Sequence, residues 1–259
     1  MAYNLEQAKE IIIKAGLELV EKELIARTWG NISARISDTE FVITPSGVPY
    51  EFITKDNLVV VKIEDCSYEG NIKPSGEKKV HAAIYKLRKD VDFILHTHQN
   101  YATAISVEGK DLEFAPVAKY GLPSTKTLVK NIVKSLINNP KFNVCLMERH
   151  GALILGKTYE EVFDGAIKLE EQSKSLYKSK QTQKSEKIES KPYLDDYAQM
   201  FGYSKVALEE DKKAVELIKF KNTLAARYQV KPKPMGCLDV RLQHFVYKKK
   251  YSKLKEKNK

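Results

Sequence analysis

Apolar residues recur at spacings of three and four through "LEQAKEIIIKAGLELVEKELI" (residues 5–25), the signature of an amphipathic helix. The pattern then changes period. "TWGNISARI" (28–36) and "EFVITPSG" (40–47) read as two strands about a turn at Ser37–Asp38, with a Pro-Ser-Gly loop after the second. "NLVVVKIED" (57–65) is a third strand. "EKKVHAAIYKLR" (77–88) returns to the helical period, with Val80, Ile84 and Leu87 on one face and Pro74-Ser75 just ahead of it. "VDFILHTH" (91–98) is the next strand, and "YATAISVEG" (101–109) a short helix or turn. "STKTLVKNIVKSLIN" (124–138) is helical, and "FNVCLMERHGALILGK" (142–157) reads as two strands about His150-Gly151. "TYEEVFDGAIKLEEQSKSLYKSK" (158–180) is a long helix N-capped by Thr158. Strands interleaved with helices, and helices at both ends, predict an α/β protein of mixed sheet topology.

Beyond residue 180 the composition shifts. "SKQTQKSEKIESK" (179–191) is polar and lysine-rich, a linker by content. A helix near 205–229 and the proline-punctuated "QVKPKPMGCLD" follow, so a main domain over 1–180 and a C-terminal extension over 181–259 are expected. With 42% apolar residues the chain can bury a substantial core. No run approaches the ~20 apolar residues that a membrane helix needs. The N-terminal segment has no basic stretch leading into an apolar one, and Cys66, Cys145 and Cys237 form no CxxC pair or disulfide framework. A reducing, cytoplasmic setting is the plain expectation. The net charge of +10 raises nucleic-acid binding, but the tail 248–259 holds seven lysines against Glu256 alone, +6 of that total. The remainder is near balance, and a lysine-rich terminus is ordinarily a solvated end, so neither nucleic acid nor membrane is the expected partner.

Four places carry candidate chemistry. His96 and His98 lie two apart at a strand end, so both imidazoles can face one cavity, as ligands of zinc or a similar divalent metal do. His150 precedes a glycine between two apolar strands. It is either a polar turn residue or a third ligand, and three histidines from two segments fit a catalytic metal site with a position left for substrate or water. Glu77 lies in the first turn of the 77–88 helix, as an acid complementing the helix dipole or as a general base beside the metal. His81, one turn later, reads as a helix residue packed against the sheet. Gly30-Asn31, Ser46-Gly47 and Ser75-Gly76 are small polar turns of the kind that offer backbone N–H and hydroxyl donors to a phosphate.

In this order and near this spacing, "GNIS", "ITPSGVPYE", "PSGE…H", "HTH" and "ERHGALILG" resemble the class II aldolase/adducin family over residues 5–180. The resemblance implies a central, mainly antiparallel sheet flanked by helices. It implies a homotetramer with sites at subunit interfaces, and a phosphorylated small-molecule substrate. It aligns His96, His98 and His150 with the family's metal-binding histidines, and Glu77 with its metal-adjacent acid, the base of the aldolases. Asn31, Ser46, Gly47, Ser75 and Gly76 align with phosphate-binding positions, although the aldolases commonly carry a second serine where Gly76 stands. The implied cofactor is Zn²⁺, with Mn²⁺ or Co²⁺ as alternatives.

The function implied first is a lyase that cleaves a ketose phosphate through an enediolate to dihydroxyacetone phosphate and an aldehyde. The alternatives within the family are a ribulose-phosphate 4-epimerase, a dehydratase and a sugar-acid-phosphate decarboxylase. Outside enzymes, the alternative is a non-catalytic, adducin-like scaffold. Glu at position 77 leans toward aldolase, since the epimerase branch usually has Asp there. A second acid/base is expected from Tyr197, in "YLDDYAQMFG", or from Tyr120, in "AKYGLP". The short segment between His98 and Ser124, and the long chain beyond residue 180, depart from the sugar-phosphate aldolases.

Overall fold

The computed structural model describes residues 3–25 and 28–181, with single positions at 220 and 224. The chain divides into two units between Lys174 and Ser175, and the sheet lies wholly in the first. The expected linker 179–191 and helix 205–229 lie almost entirely outside the described residues.

Helix α1 spans Leu5–Glu21. Asn4 starts it: its side chain accepts the Gln7 N–H at 2.9 Å while the Gln7 side chain accepts the Asn4 N–H at 3.1 Å. That reciprocal pair satisfies two of the four amides a helix start leaves over. The strands are β1 (Asn31–Arg35), β2 (Glu40–Ile43), β3 (Val59–Lys62), β4 (Phe93–Thr97), β5 (Val117–Ala118), β6 (Val144–Met147) and β7 (Gly151–Gly156). The remaining helices are α2 (Lys78–Leu87), α3 (Asn100–Ser106), α4 (Lys126–Asn138) and α5 (Tyr159–Gln181). The strands form one sheet in the order β3-β2-β1-β4-β7-β6-β5, antiparallel throughout except between β5 and β6. The expected mainly antiparallel sheet flanked by helices is therefore the observed one.

Strand β4 is central, and every one of its residues is buried. Its alternation sends Phe93 toward the rings of Tyr3 and Tyr159, each at 5.9 Å, and Ile94 into the cluster beneath α2 and α4. Val80 and Ile84 of α2 and Leu128, Ile132 and Leu136 of α4 pack there on Phe41, Val61 and Leu155. His96 shares the parity of Ile94, so it faces the α2 side of the sheet.

Strand ends differ from the pattern where geometry intervenes. β1 begins only at Asn31 because Gly30, at φ +87°, turns the chain. β5 has no pattern to announce it. It is two residues after Pro116, held by the bonds Leu146 N–H to Pro116 O (2.9 Å) and Glu148 N–H to Ala118 O (3.0 Å). Leu87, expected on the buried face of α2, is exposed at its last turn. The Thr158 cap is present: its hydroxyl accepts the Glu161 N–H at 3.3 Å.

One buried cation ties α2 to the sheet. Arg35 donates to the carbonyls of Val91 (3.0 Å), Tyr85 (2.8 Å) and Arg88 (3.0 Å) and lies 3.3 Å from the Asp92 carboxylate. Removing it takes the cation from beside a buried carboxylate and a donor from three carbonyls, so Arg35→Met should cost about 3–5 kcal/mol in denaturant unfolding. A loss below ~1 kcal/mol would show that the pair holds nothing together.

Candidate metal centre

The site forms where β1, β4 and the β6–β7 turn meet the start of α2. The β1–β4 register sets Asn31 directly opposite His96. Gly30 makes that closeness possible, since a Cβ there would run into the His96 carbonyl oxygen. Across β4, the Glu148–His150 turn brings His150 back, with Arg149 at φ +60° and the His150 N–H bonded to Met147 O at 3.0 Å. Gly151 then pairs against Met147, where a Cβ would press on the Thr97 carbonyl.

These constraints converge three imidazoles. One ring nitrogen from each of His96, His98 and His150 lies within 4.8 Å of the others. The His96 ring is aimed by its Nδ1–H, which must donate to the Ala152 carbonyl at 3.0 Å because that oxygen can only accept. In the neutral ring Nε2 is then a bare acceptor. It faces Glu77 Oε2, another acceptor, at 3.1 Å and His98 Nε2 at 3.1 Å. Lone pairs so close repel unless a proton or a cation lies among them. Glu77 Oε1, 3.5 Å from His150 Nε2, and His150 Nδ1 are buried with no hydrogen-bond partner among the described residues. A set of nitrogens and a carboxylate with acceptors facing acceptors fits a borderline divalent cation.

Glu77 stands one place earlier than the pattern suggests. It is the N-cap of α2, not a first-turn residue, and its side chain makes no capping bond. The carboxylate turns inward instead, where Asn31 Nδ2 donates to Oε2 at 3.2 Å. Burial works against the Glu77 anion. In the acid range where Glu77 would take up its proton, the charges of protonated His150 and His96, and the bond that a protonated His96 donates, more than offset it and hold the carboxyl well below the usual carboxylate range. Burial pushes His150 down to about 4, only partly opposed by Glu77, so that ring is neutral and able to ligate near pH 7.

His81 is the helix residue packed on the sheet that its position suggests, but both ring nitrogens are engaged. Nδ1 lies 2.6 Å from Ser33 Oγ and Nε2 lies 2.5 Å from Asn31 Oδ1, and Ser33 Oγ is in turn 2.7 Å from the Tyr85 hydroxyl. Burial drives the His81 pKa down to about 3. Only the i,i+4 spacing of Glu77 and His81 hinted at this.

The small polar turns come together as well. An antiparallel bridge joins Pro45 to Pro74, so the two turns adjoin there, Ser46 beside Lys73 and Ser75 beside Thr44. The Ser46 N–H is used on Lys73 O (2.8 Å) and the Ser75 N–H on Thr44 O (3.0 Å), which leaves hydroxyls, not these amides, to a ligand. Ser75 Oγ also accepts the Glu77 N–H at 3.2 Å. Ser124, which sequence reasoning passed over, fills the space beside Gly76. Its Oγ is 2.8 Å from where a Cβ would stand. Tyr120 is anchored by its backbone, with its N–H on Glu148 Oε2 at 3.0 Å and its carbonyl accepting from Asn131 Nδ2 at 2.9 Å. Tyr197 lies outside the described residues.

Residues 10–177 match the family model described as Class II Aldolase and Adducin N-terminal domain. A probable L-ribulose-5-phosphate 4-epimerase, UlaF, of Mycoplasma pneumoniae is 29% identical over 193 residues, 63% of this chain and 78% of that one. Among solved structures, an L-fuculose 1-phosphate aldolase is 27% identical with a TM-score of 0.62, covering 71% of this chain and 91% of its own. The l-fuculose-1-phosphate aldolase of Thermus thermophilus is 25% identical with a TM-score of 0.57, covering 69% and 97%.

The buried rings set a pH dependence of stability. His81 and His150 titrate in the fold at about 3 and about 4, and near 6.5 when unfolded. Below pH 6.5 the unfolded chain therefore binds more protons than the folded one, and stability falls with pH. The depressed Glu77 carboxyl adds to the loss, in the same direction, only below its unfolded value. Chelator-treated protein should lose about 3–4 kcal/mol between pH 6.5 and 5, read as a falling Tm. A Tm flat from pH 7.5 to 5 would contradict neutral buried imidazoles.

Proposed function

The chain belongs to the class II aldolase and adducin N-terminal domain family, and from that premise we propose that it is a metal-dependent lyase cleaving a ketose phosphate to dihydroxyacetone phosphate and an aldehyde. The observation that carries this reading is the convergence of His96, His98 and His150 within 4.8 Å, with the Glu77 carboxylate 3.1 Å from His96 Nε2. A non-catalytic scaffold has no use for three converging imidazoles, one buried and two partly buried, around an ionised acid whose burial is costly unless something is bound there. When bound, a divalent cation, zinc first and manganese or cobalt next, would supply Lewis-acid polarisation of the ketose carbonyl.

The chain's own residues supply the rest. Glu77 Oε2 is held by Asn31, while Oε1 has no hydrogen bond among the described residues and is the oxygen that takes a proton from, or returns it to, the enediolate carbon. The hydroxyls of Ser46 and Ser75, the Gly47 and Gly76 backbone and the second Nδ2–H of Asn31 form the phosphate seat. Phosphate binding there fixes the register of the reacting carbons. Ser124 contributes the hydroxyl that Gly76 lacks. Tyr197, or else Tyr120, serves the departing aldehyde oxygen. The setting is cytoplasmic, and the assembly is a homotetramer with shared sites. No helix of the described residues is long and apolar enough to cross a membrane.

A second reading, 4-epimerisation of a pentulose phosphate, is supported by the Mycoplasma pneumoniae relative. The two share the site and differ in product. A screen of ketose phosphates, followed for dihydroxyacetone phosphate and aldehyde on one side and for an epimerised pentulose phosphate on the other, separates them. Metal analysis of purified protein should find close to one divalent ion per chain. His96→Ala should abolish both that ion and turnover, whereas Glu77→Gln should cost ~10²–10⁴ in kcat. Protein that binds no metal, or His96→Ala with full turnover, would refute the lyase reading. Ser124→Ala should raise KM for the phosphorylated substrate severalfold, with kcat little changed.

A further inference from the structure

The His81 imidazole is a buried titratable group that the proposed chemistry does not touch, and its surroundings assign it a direction. Glu77 Oε2 can only accept, so the Asn31 group facing it at 3.2 Å is Nδ2–H. Asn31 Oδ1 then faces His81 Nε2 at 2.5 Å, and an amide oxygen requires that Nε2 carry the proton. In a neutral ring Nδ1 is then bare and accepts from the Ser33 hydroxyl at 2.6 Å. Ser33 Oγ in turn accepts from the Tyr85 hydroxyl at 2.7 Å. Each donor is fixed by its neighbour, and the chain ends on the carboxylate.

We infer that His81 is a positioning residue: through Asn31 it sets the amide that grips Glu77 Oε2 beside His96, and so leaves Oε1 turned toward His150. Without the Nε2–H, the Asn31 amide is free to turn over and set its oxygen against the carboxylate, which would push Glu77 aside. Asn31 cannot do this alone, because its oxygen and nitrogen ends are nearly equal in shape and only their partners tell them apart. The rigidity of the relay comes from burial. His81, Ser33 and Tyr85 are fully buried, so water offers no alternative partner. Burial also keeps His81 uncharged, with a pKa of about 3, and holds the Tyr85 phenol well above its ordinary value, so neither changes protonation near neutral pH. This inference rests on the lyase or epimerase reading for its kinetic consequence, but not for its geometry.

The geometric part is tested on full-length protein carrying ¹⁵N-labelled histidine. Long-range ¹H–¹⁵N spectra should show His81 as a neutral ring protonated on Nε2 and unchanged from pH 8 to pH 5. A ring protonated on Nδ1, or one exchanging between tautomers, overturns the inference whatever the enzyme's substrate proves to be. The kinetic part uses His81→Leu and His81→Gln. Leucine should lower kcat about 10–100-fold, the size expected when the support of a site group is lost, and raise KM severalfold, since the turned Asn31 amide also withdraws its N–H from the phosphate seat. Glutamine carries a donor and an acceptor on one terminal group, and should recover most of that loss. A histidine that only fills space would give a lower Tm with unchanged kcat per folded molecule, and glutamine no better than leucine; either result overturns the inference. If His81→Leu does not fold, Ser33→Ala removes the Nδ1 partner at smaller cost in volume. It should then put the His81 tautomer into exchange and lower kcat severalfold. Wild-type protein with the expected tautomer but neither lyase nor epimerase turnover would instead refute the functional reading and leave the relay standing.

Discussion

A buried carboxylate is the constraint around which this molecule is organised. Glu77 stands at the start of α2, yet its side chain is only 12% exposed and is ionised near neutral pH. An anion in such a place is tolerable only where donors and cations meet it. Asn31 from β1 donates to it, His96 from β4 and His150 from the β6–β7 turn face it where a cation fits among them, and each comes from a separate part of the sheet. The register of β1 on β4, the glycine at 30 and the turn at Arg149 are the backbone conditions that let those groups arrive together.

The same groups explain how a site with so many acceptors can be prearranged. The His96 ring is aimed by a backbone carbonyl of β7, and Asn31 by a histidine on α2. Both supports lie on regular elements packed into the core, not on loops, and positions held that way vary little. The loops carry the other half of the site. The Pro45–Pro74 bridge joins two polar turns from opposite ends of the α2 approach, and Ser124 closes over Gly76 from a third. On the proposed reading, the rigid half orients chemistry at the carbonyl and the loop half recognises what the substrate carries.

Much of the fold was legible from period alone. The helices over 5–25, 77–88, 124–138 and 158–180 appear as α1, α2, α4 and α5, because an apolar face at 3.6-residue spacing has no other way to be buried. The strand pattern located β1, β2, β3, β4, β6 and β7 but overran their ends. Hydrophobicity does not report where a glycine at positive φ, or a bridge such as Pro45–Pro74, takes the chain out of the ladder. Strand β5 was invisible: two residues after a proline have no alternation, and only β6 alongside makes them a strand.

For the site, local chemistry named the residues that the fold brings together as candidate ligands. Two histidines two apart on a strand, a third before a glycine and an acid ahead of a helix are chemically suited to a metal whatever fold carries them. The ordered motifs also named the family. What the tertiary structure alone decided was orientation. It placed Glu77 at the N-cap with its carboxylate turned inward, spent the amides of Ser46 and Ser75 on the backbone, brought Ser124 to Gly76, and joined His81 to Asn31 across 50 residues. None of this is periodic or local. A hydrogen bond depends on distance and direction to a fraction of an ångström, and those are set by the packing of β1 against β4 and of α2 against the sheet.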